Sequence, residues 1–547
     1  MKKWQMWTAA AVVVVVAVGG SRAAGWWGSN PSDDKSTLNY GLAAEVQNLD
    51  ISKSTDTYSN TILGNTESNF LRVDSKGNPA PDLAKSYTVS SDGLTYTIKL
   101  RSGLKWSDGS ALTAKDFVYS WQRIADPKTA SQYSYLTSGV QNADDIVAGK
   151  KPVSDLGVKA EGDNTVVFTL ERPMPQFKYL LSFAQFAPQK ESFVKKAGSK
   201  YGTTSSEQIY SGPYKFEGWN GTNNKFKMVK NDNYWDAKDV KTDTVKWQVI
   251  KNPETAIKLY KEGKIDRAAI NNSAEMYSAN KGNKDVKDSA MAAATYLEYN
   301  QAKNPYLANE KIREALNLAT NRKDLASQAT GGTRDAATGL VSNSLVKAAN
   351  GQDLAKYVNP GYTYDKAKAK ELFAEGLKEV NKGKMNVSLE TDADSPISKS
   401  TVDYLKQAWE STFGSDISVT EKVVPFKQRL QDSQNGNFDI VVSNWNGDYQ
   451  DGSTFYDMFK ATDTGMNNGQ FKNQTYTDAV AKAEGQDANN PSARDADWKA
   501  AEAALKNDAD INPLYSWKGA SLVRSNVKGV VTNPAGLALD LTHAYRK

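Results

Sequence analysis

"SYTVSSDGLTYTIKLRSGLKWSDGSALTAKDFVYSWQRI", Ser86 to Ile124, holds a strand pair and a helix within one short span. Apolar and polar residues alternate on both sides of Ser91-Asp92-Gly93, which predicts a hairpin over Ser86 to Leu100. The period then changes. Phe117, Trp121 and Ile124 recur at helical spacing behind Thr113, a residue type suited to a helix N-cap. A strand pattern returns in "NTVVFTL", Asn164 to Leu170, and an earlier one stands at Leu38 to Leu42.

Alternation of this kind continues along the chain. Asn252-Pro253-Glu254 supplies a cap, a proline for the first turn and an early acid. Ala256, Ile257 and Leu259-Tyr260 form that helix's apolar face, and Gly263 closes it before the strand "KIDRAAI". Helices fit Asn309 to Thr320, Asp365 to Val380 and Ile397 to Thr412. Strands fit "MNVSLET", "ISVTEKVV" and "FDIVVSNW". The alternation predicts an α/β architecture. There is no internal repeat and no long low-complexity linker, so several domains must share a chain that crosses between them more than once.

Composition narrows the function. The 39% hydrophobic and 24% charged residues are ordinary for a globular protein. The net charge of +5 is spread without a basic block, which argues against nucleic acid as a partner. Thirteen Trp and 26 Tyr suit sites that grip varied ligands. The chain has no Cys and a single His, His543, close to the C-terminus. Disulfides, thiolate metal sites and cysteine nucleophiles are excluded, and the usual His-dependent constellations would all have to run through His543. Neighbouring acids such as Asp144-Asp145, or Asp448 with Asp451, leave a carboxylate-dependent hydrolase as the enzymatic alternative.

The N-terminus reads as an export signal: Lys2 and Lys3, an apolar run from Thr8 to Val18, then small residues at Gly19 to Ala24. That run falls short of the roughly 20 residues of a membrane span. The expected segments are a signal peptide over 1–23 and a flexible tether over 24–37.

Several stretches resemble one family. "LRSGLKWSDGSALTAKDFVYSWQR", "ADPKTASQYSYL", "DDIVAGKKPVSDLGVKA", "SGPYKFEGW", "NDNYWDAK", "NEKIREALNLATNRKDL" and "NFDIVVSNWNGDYQD" are similar to the peptide-type (cluster C, family 5) extracytoplasmic solute-binding proteins of ABC importers, with the oligopeptide-binding branch of Gram-positive, lactic-acid-type bacteria nearest. The resemblance implies a two-lobed periplasmic-binding-protein-like fold (type II) with an extra domain inserted in the first lobe. Lobe I would comprise 38–68, 193–299 and 517–547, the inserted domain 69–192 and lobe II 300–516. It also implies a monomeric, non-catalytic subunit without metal or cofactor, whose partners are oligopeptides and the permease and ATPase of an importer. A peptide-pheromone receptor and a binder of a non-peptide solute are the alternatives.

The resemblance also assigns residues. Trp445-Asn446-Gly447-Asp448-Tyr449 matches the family's Trp-x-x-Asp-Tyr, whose Asp receives a peptide's α-ammonium. Asp448 follows a strand-like run, where ligands of open α/β sheets gather. Tyr133 aligns with a tyrosine that holds the same end of the peptide, and Trp445 can wall a side-chain pocket. Ser211 opens "SGPY" where the family has the asparagine of "NGAY". Backbone pairing to an extended peptide would come from Thr55 and Thr57 on one lobe and Asn444 and Asn446 on the other. Tyr119 and Trp121 are assigned to the core. Family members that prefer short peptides place cations near the peptide's C-terminus; the aligned positions here are Val442 and Ser433, which predicts an unclamped C-terminus and tolerance of longer ligands. "AVGGSRAAGWWGSN" stands where relatives carry a lipobox Cys, so that route to a lipid anchor is closed.

Overall fold

The computed structural model describes residues 26–27, 34–460, 466–537 and 539–547. The expected signal peptide lies outside the described residues. Within the expected tether, Trp27 is buried beside Ile257 and Tyr260, so that point is anchored rather than free.

The chain opens with β1 (Thr37–Leu42) and α1 (Thr57–Thr66). The predicted hairpin follows as β2 (Ala84–Val89) and β3 (Thr95–Leu100), antiparallel, with the Gly93 N–H closing the turn onto the Ser90 carbonyl. Next comes α2 (Ala114–Ala125). Thr113 and Asp116 form its capping box, which satisfies N–H groups that the helix itself leaves orphaned. Its inner face buries Phe117, Trp121 and Ile124, whereas Tyr119 is only partly buried. Trp121 packs at 4.2 Å on Phe186 and edge-on at 4.8 Å to Phe168, so it is core, as expected of that residue. β4 (Val158–Ala160) and β5 (Thr165–Thr169) complete a four-stranded sheet in the order β2-β3-β5-β4.

A second four-stranded sheet joins β1 to three later strands: β6 (Tyr214–Glu217), β7 (Lys225–Lys230) and β8 (Thr244–Val249). Its order is β1-β8-β7-β6, with β1 parallel to β8. Leu38, Tyr40, Phe216, Met228 and Trp247 supply its apolar face. The helix α3 (Pro253–Lys261) is capped by Asn252, whose side chain accepts from the Thr255 N–H, and it leads to β9 (Arg267–Ala269).

The third sheet is the largest. It contains β9, β10 (Val286–Tyr299), β11 (Arg334–Ala336), β12 (Met385–Asp392), β13 (Ile417–Val424), β14 (Ile440–Asn446) and β15 (Ile511–Val523). The order is β9-β15-β10-β14-β12-β13, with β11 also on β15. Three predicted helices, α4 (Glu310–Leu318), α5 (Lys366–Val380) and α6 (Pro396–Phe413), pack Ile312, Phe373 and Trp409 into one cluster with this sheet's Leu297, Leu389 and Val442. A further helix, α7 (Phe426–Gln434), connects β13 to β14. The long antiparallel pair β10 and β15 loses register between Ala290 and Ala294, opposite Lys518 and Ser516. Such an irregularity bends a strand locally.

Candidate functional site

A cavity of about 2310 Å³, counting the space at its mouth, is lined by α1 and the loop before it, by Tyr133 and 179–185, by the end of β12, by α7, and by 443–450. The enclosed part is about 300 Å³, at the low end of the ~300–1,000 Å³ usual for a ligand site.

The inner end of the cavity is built by β14 and the turn after it. β14 pairs with β10 along its length, from Ile440 opposite Tyr299 to Asn446 opposite Ala293. On its other side it meets β12 only at Ile440 and Val441. The Gly447 N–H donates to the Ala292 carbonyl at 2.7 Å. Hydrogen-bonded pairs alternate in an antiparallel ladder, so the backbone groups of Asn444 and Asn446 point away from β10. They face the side that β12 has left, and both residues line the cavity. Here the sheet presents an open strand edge inside a cleft.

Asp448 follows directly. Its N–H donates to Thr454 Oγ1 at 2.8 Å, and the Trp445 indole donates to the Thr454 carbonyl at 2.9 Å, which fixes the turn. Gly536, at φ +71°, lies so close that a Cβ there would sit 2.7 Å from the Asp448 carbonyl oxygen. The Asp448 carboxyl accepts one bond from the Tyr133 hydroxyl, while its Oδ2 is buried with no partner among the described residues. Burial raises its pKa from 3.8 to about 8, and the Tyr133 bond opposes that rise. An anion withdrawn from water without a cation is unfavourable, so this carboxyl suits a positively charged group brought to it.

The other assigned residues divide. Thr55, Thr57, Tyr133, Asn444, Trp445, Asn446 and Asp448 all line the one cavity. Thr55 and Thr57 are not in a strand, however: Thr57 is the first residue of α1, behind its N-cap Asp56. What they can offer is the irregular backbone of Thr55 and the first N–H of the helix, at Thr57, since Asp56 already accepts from the N–H groups of Tyr58 and Ser59. Ser211 is not among the lining residues. Its hydroxyl donates to Glu67 Oε2 at 2.9 Å and accepts from the Ser68 N–H at 3.0 Å, which makes it a support for Glu67, itself on the cavity wall. Of the two aligned positions lacking a cation, Val442 is in the core and Ser433 lines the cavity. Asp451 does not pair with Asp448; Arg494 grips both its oxygens, at 2.6 and 2.7 Å.

Sequence reading missed the charge balance. Eight acidic residues line the cavity beside two arginines, Arg72 and Arg429. Arg72 is engaged by Asp82 and Asp540. Arg429 stands on α7, which carries no signature, and only the fold brings it to the cavity. Lys251 bridges Glu45 at 2.6 Å and the cavity residue Asp394 at 3.1 Å, and the cavity residues Tyr58 and Phe426 meet edge-on at 5.6 Å. Among the described residues there is no cluster of acids and histidines fit for a metal and no helix long and apolar enough to cross a membrane.

A cavity, an open strand edge and a fixed carboxyl are the features of a ligand-binding protein. Residues 78–467 match the bacterial extracellular solute-binding proteins, family 5, and the chain belongs to that family, whose members bind solutes rather than catalyse reactions. It is 43% identical to a dipeptide-binding protein of Lactococcus lactis, over 95% of this chain and 96% of that one. It is 30% identical to a periplasmic oligopeptide-binding protein of Salmonella typhimurium, over 91% and 90%. Among solved structures, OppA of Listeria monocytogenes bound to peptide superposes with a TM-score of 0.88 at 32% identity, covering 94% of this chain and 99% of that one. The pheromone receptor PrgZ superposes equally well, with a TM-score of 0.88 at 30% identity over 94% and 100%.

Proposed function

We propose that this chain is the extracytoplasmic substrate-binding subunit of an ABC oligopeptide importer, enclosing an extended peptide between two lobes and handing it to a membrane permease and its ATPase. The observation that carries the reading is Asp448: a buried, half-unpartnered carboxyl at the end of the open edge of Asn444 and Asn446. A peptide lying along that edge completes the hydrogen bonds of the strand and brings its α-ammonium to the carboxyl. Backbone pairing reads no sequence, so varied side chains are accepted.

In this reading lobe I takes 38–68, 193–299 and 517–547, the inserted domain 69–192, and lobe II 300–516. The β2–β5 sheet falls wholly inside the insertion, while Ala293–Tyr299 of β10 pair with β14 of lobe II, so the largest sheet runs on past the register break of β10 and β15. That break is a suitable hinge for closure around the ligand. Export follows from the N-terminal signal. Without a lipobox Cys, cleavage after Ala23 releases the protein and an uncleaved helix retains it, which the intact mass of the exported protein distinguishes.

A peptide-pheromone receptor is the second reading, favoured by the likeness to PrgZ. Mass spectrometry of ligands that copurify with the protein separates the two. Many unrelated peptides support uptake, one recurrent sequence supports signalling, and a non-peptide solute alone contradicts both.

A further inference from the structure

Arg172 Nη2 donates to Glu484 Oε2 at 3.3 Å, across 312 positions of sequence. Lys460 donates to the same oxygen at 2.5 Å and stands 3.4 Å from Asp457 Oδ1. Two cations and two carboxyls thus meet in one cluster. In the lobe limits given above, Arg172 belongs to the inserted domain and the other three residues to lobe II. The carboxyl side chains are deeply buried, with 5% of Glu484 and 4% of Asp457 exposed. None of the four is among the residues that line the ligand cavity.

The surroundings are shaped for this guanidinium. Arg172 Nη2 also donates to Ser138 Oγ at 3.3 Å. Next to Ser138, Gly139 has φ +94°, and a Cβ there would collide with Arg172 Nη1. Asp457 and Lys460 bracket Met458 and Phe459, which belong to an apolar cluster shared by both sides of the boundary. That cluster runs from Phe168, Phe177 and Phe186 of the inserted domain to Tyr449, Tyr456 and Phe459 of lobe II. Tyr179 stacks on Tyr449 across the same boundary, with ring centroids 6.2 Å apart.

Charge balance decides what Arg172 does there. Without it, lobe II would press two carboxyls and a single ammonium against the inserted domain. Burial pushes the Asp457 carboxyl well up, and the charge of Glu484 adds to the rise. Burial pushes Glu484 up as well, but Lys460 and Arg172 outweigh it and hold that carboxyl below its usual range. A buried cluster that lacks one cation is unfavourable. When the lobes part, Arg172 leaves and Glu484 gains water, so the penalty for losing Arg172 falls on the closed state. Observed affinity scales with the fraction of molecules able to adopt the binding-competent state, so residues that never touch the ligand can set it.

We propose that Arg172 is a positioning residue for peptide binding: the inserted domain carries it to Glu484 as the lobes close, and the pair holds the closed state from outside the cavity. This rests on the two-lobed peptide-binding reading above.

Calorimetry and stopped-flow dissociation of one extended peptide test it on the exported protein. Arg172→Met should weaken binding by about tenfold or more, through faster dissociation. Arg172→Lys should recover part of the loss. Arg172→Met combined with Glu484→Gln should bind better than Arg172→Met alone, because the uncompensated carboxyl is gone. Thermal unfolding of the empty Arg172→Met protein should match wild type. Glu484→Gln alone keeps the shape of its side chain and should also weaken binding, which supplies the test if Arg172→Met does not fold. Wild-type affinity and dissociation rate in both single variants overturn the proposal and leave the peptide-binding reading standing. Lost stability of the empty protein, with no recovery in the double variant, makes Arg172 a structural residue and overturns it too. A wild type that binds no peptide ends the peptide-binding reading, and the proposal with it.

Discussion

The Tyr133 hydroxyl donates to Asp448 Oδ1 at 3.0 Å, joining residues 315 positions apart across the cavity. Tyr133 packs edge-on against Phe183 at 5.5 Å, and Asp448 lies two residues beyond the end of β14 in the largest sheet. The bond stabilises the charged carboxyl, against a burial that favours the neutral one.

Replacing Asp448 by Asn should leave the fold intact and weaken peptides with a free N-terminus by about 2 to 5 kcal/mol, as expected when one partner of a buried charge pair is removed. Calorimetry measures the loss, and thermal unfolding of the empty variant should show no destabilisation.

Peptide binding should release protons. With its pKa near 8, Asp448 is largely protonated in the empty cleft at pH 7, yet must be ionised to hold an ammonium. Close to one proton, about 0.9 from this group, should leave at pH 7. Titrations in buffers of different ionisation enthalpy measure it. For the empty protein the sign is opposite to that of a salt-bridged acid. The folded-state pKa lies above the unfolded one, so Asp448 contributes stability that is full below about pH 4 and lost as the pH rises towards 8. Asp448→Asn should remove that slope.

Tyr133→Phe deletes a bond that lowers the Asp448 pKa. Proton release should then persist to higher pH, and affinity should fall by about 1 kcal/mol, the usual worth of one such bond. A loss as large as that of Asp448→Asn would mean that Tyr133 positions the whole site.

At Gly536 the constraint is steric. With φ at +71° and the Asp448 carbonyl oxygen only 2.7 Å from where a Cβ would stand, alanine must displace the turn. The strained conformation alone costs about 1 to 3 kcal/mol. A lowered melting temperature together with weakened binding is the expected pair of readings.

The Lys251 bridge to Glu45 and Asp394 is partly exposed, so Lys251→Ala should change affinity by less than about 1 kcal/mol. Its effect should appear as faster ligand dissociation at low salt and vanish as salt rises.

Much of the fold was legible locally. The hairpin around Gly93, the capped helix behind Thr113 and the strand before Asp448 are each encoded within a short stretch, because turn chemistry, caps and periodicity act at short range. Asp448 was reachable because the motif from Trp445 to Tyr449 surrounds it. Ser211 was not readable as a support for Glu67, since that role needs a partner 144 positions away. Thr57 sits in a helix rather than an extended run because Asp56 caps it, accepting from the N–H groups of Tyr58 and Ser59. Arg429 carries no local signal at all; its burial and its unused donors exist only once α7 closes over the cavity.

The most direct test of the central claim is calorimetry of one extended peptide with a free and with an acetylated N-terminus. The account predicts tight binding of the free peptide, with proton release, and at least a tenfold loss on acetylation. Equal binding of the two forms would contradict the assignment of Asp448 as the ammonium site.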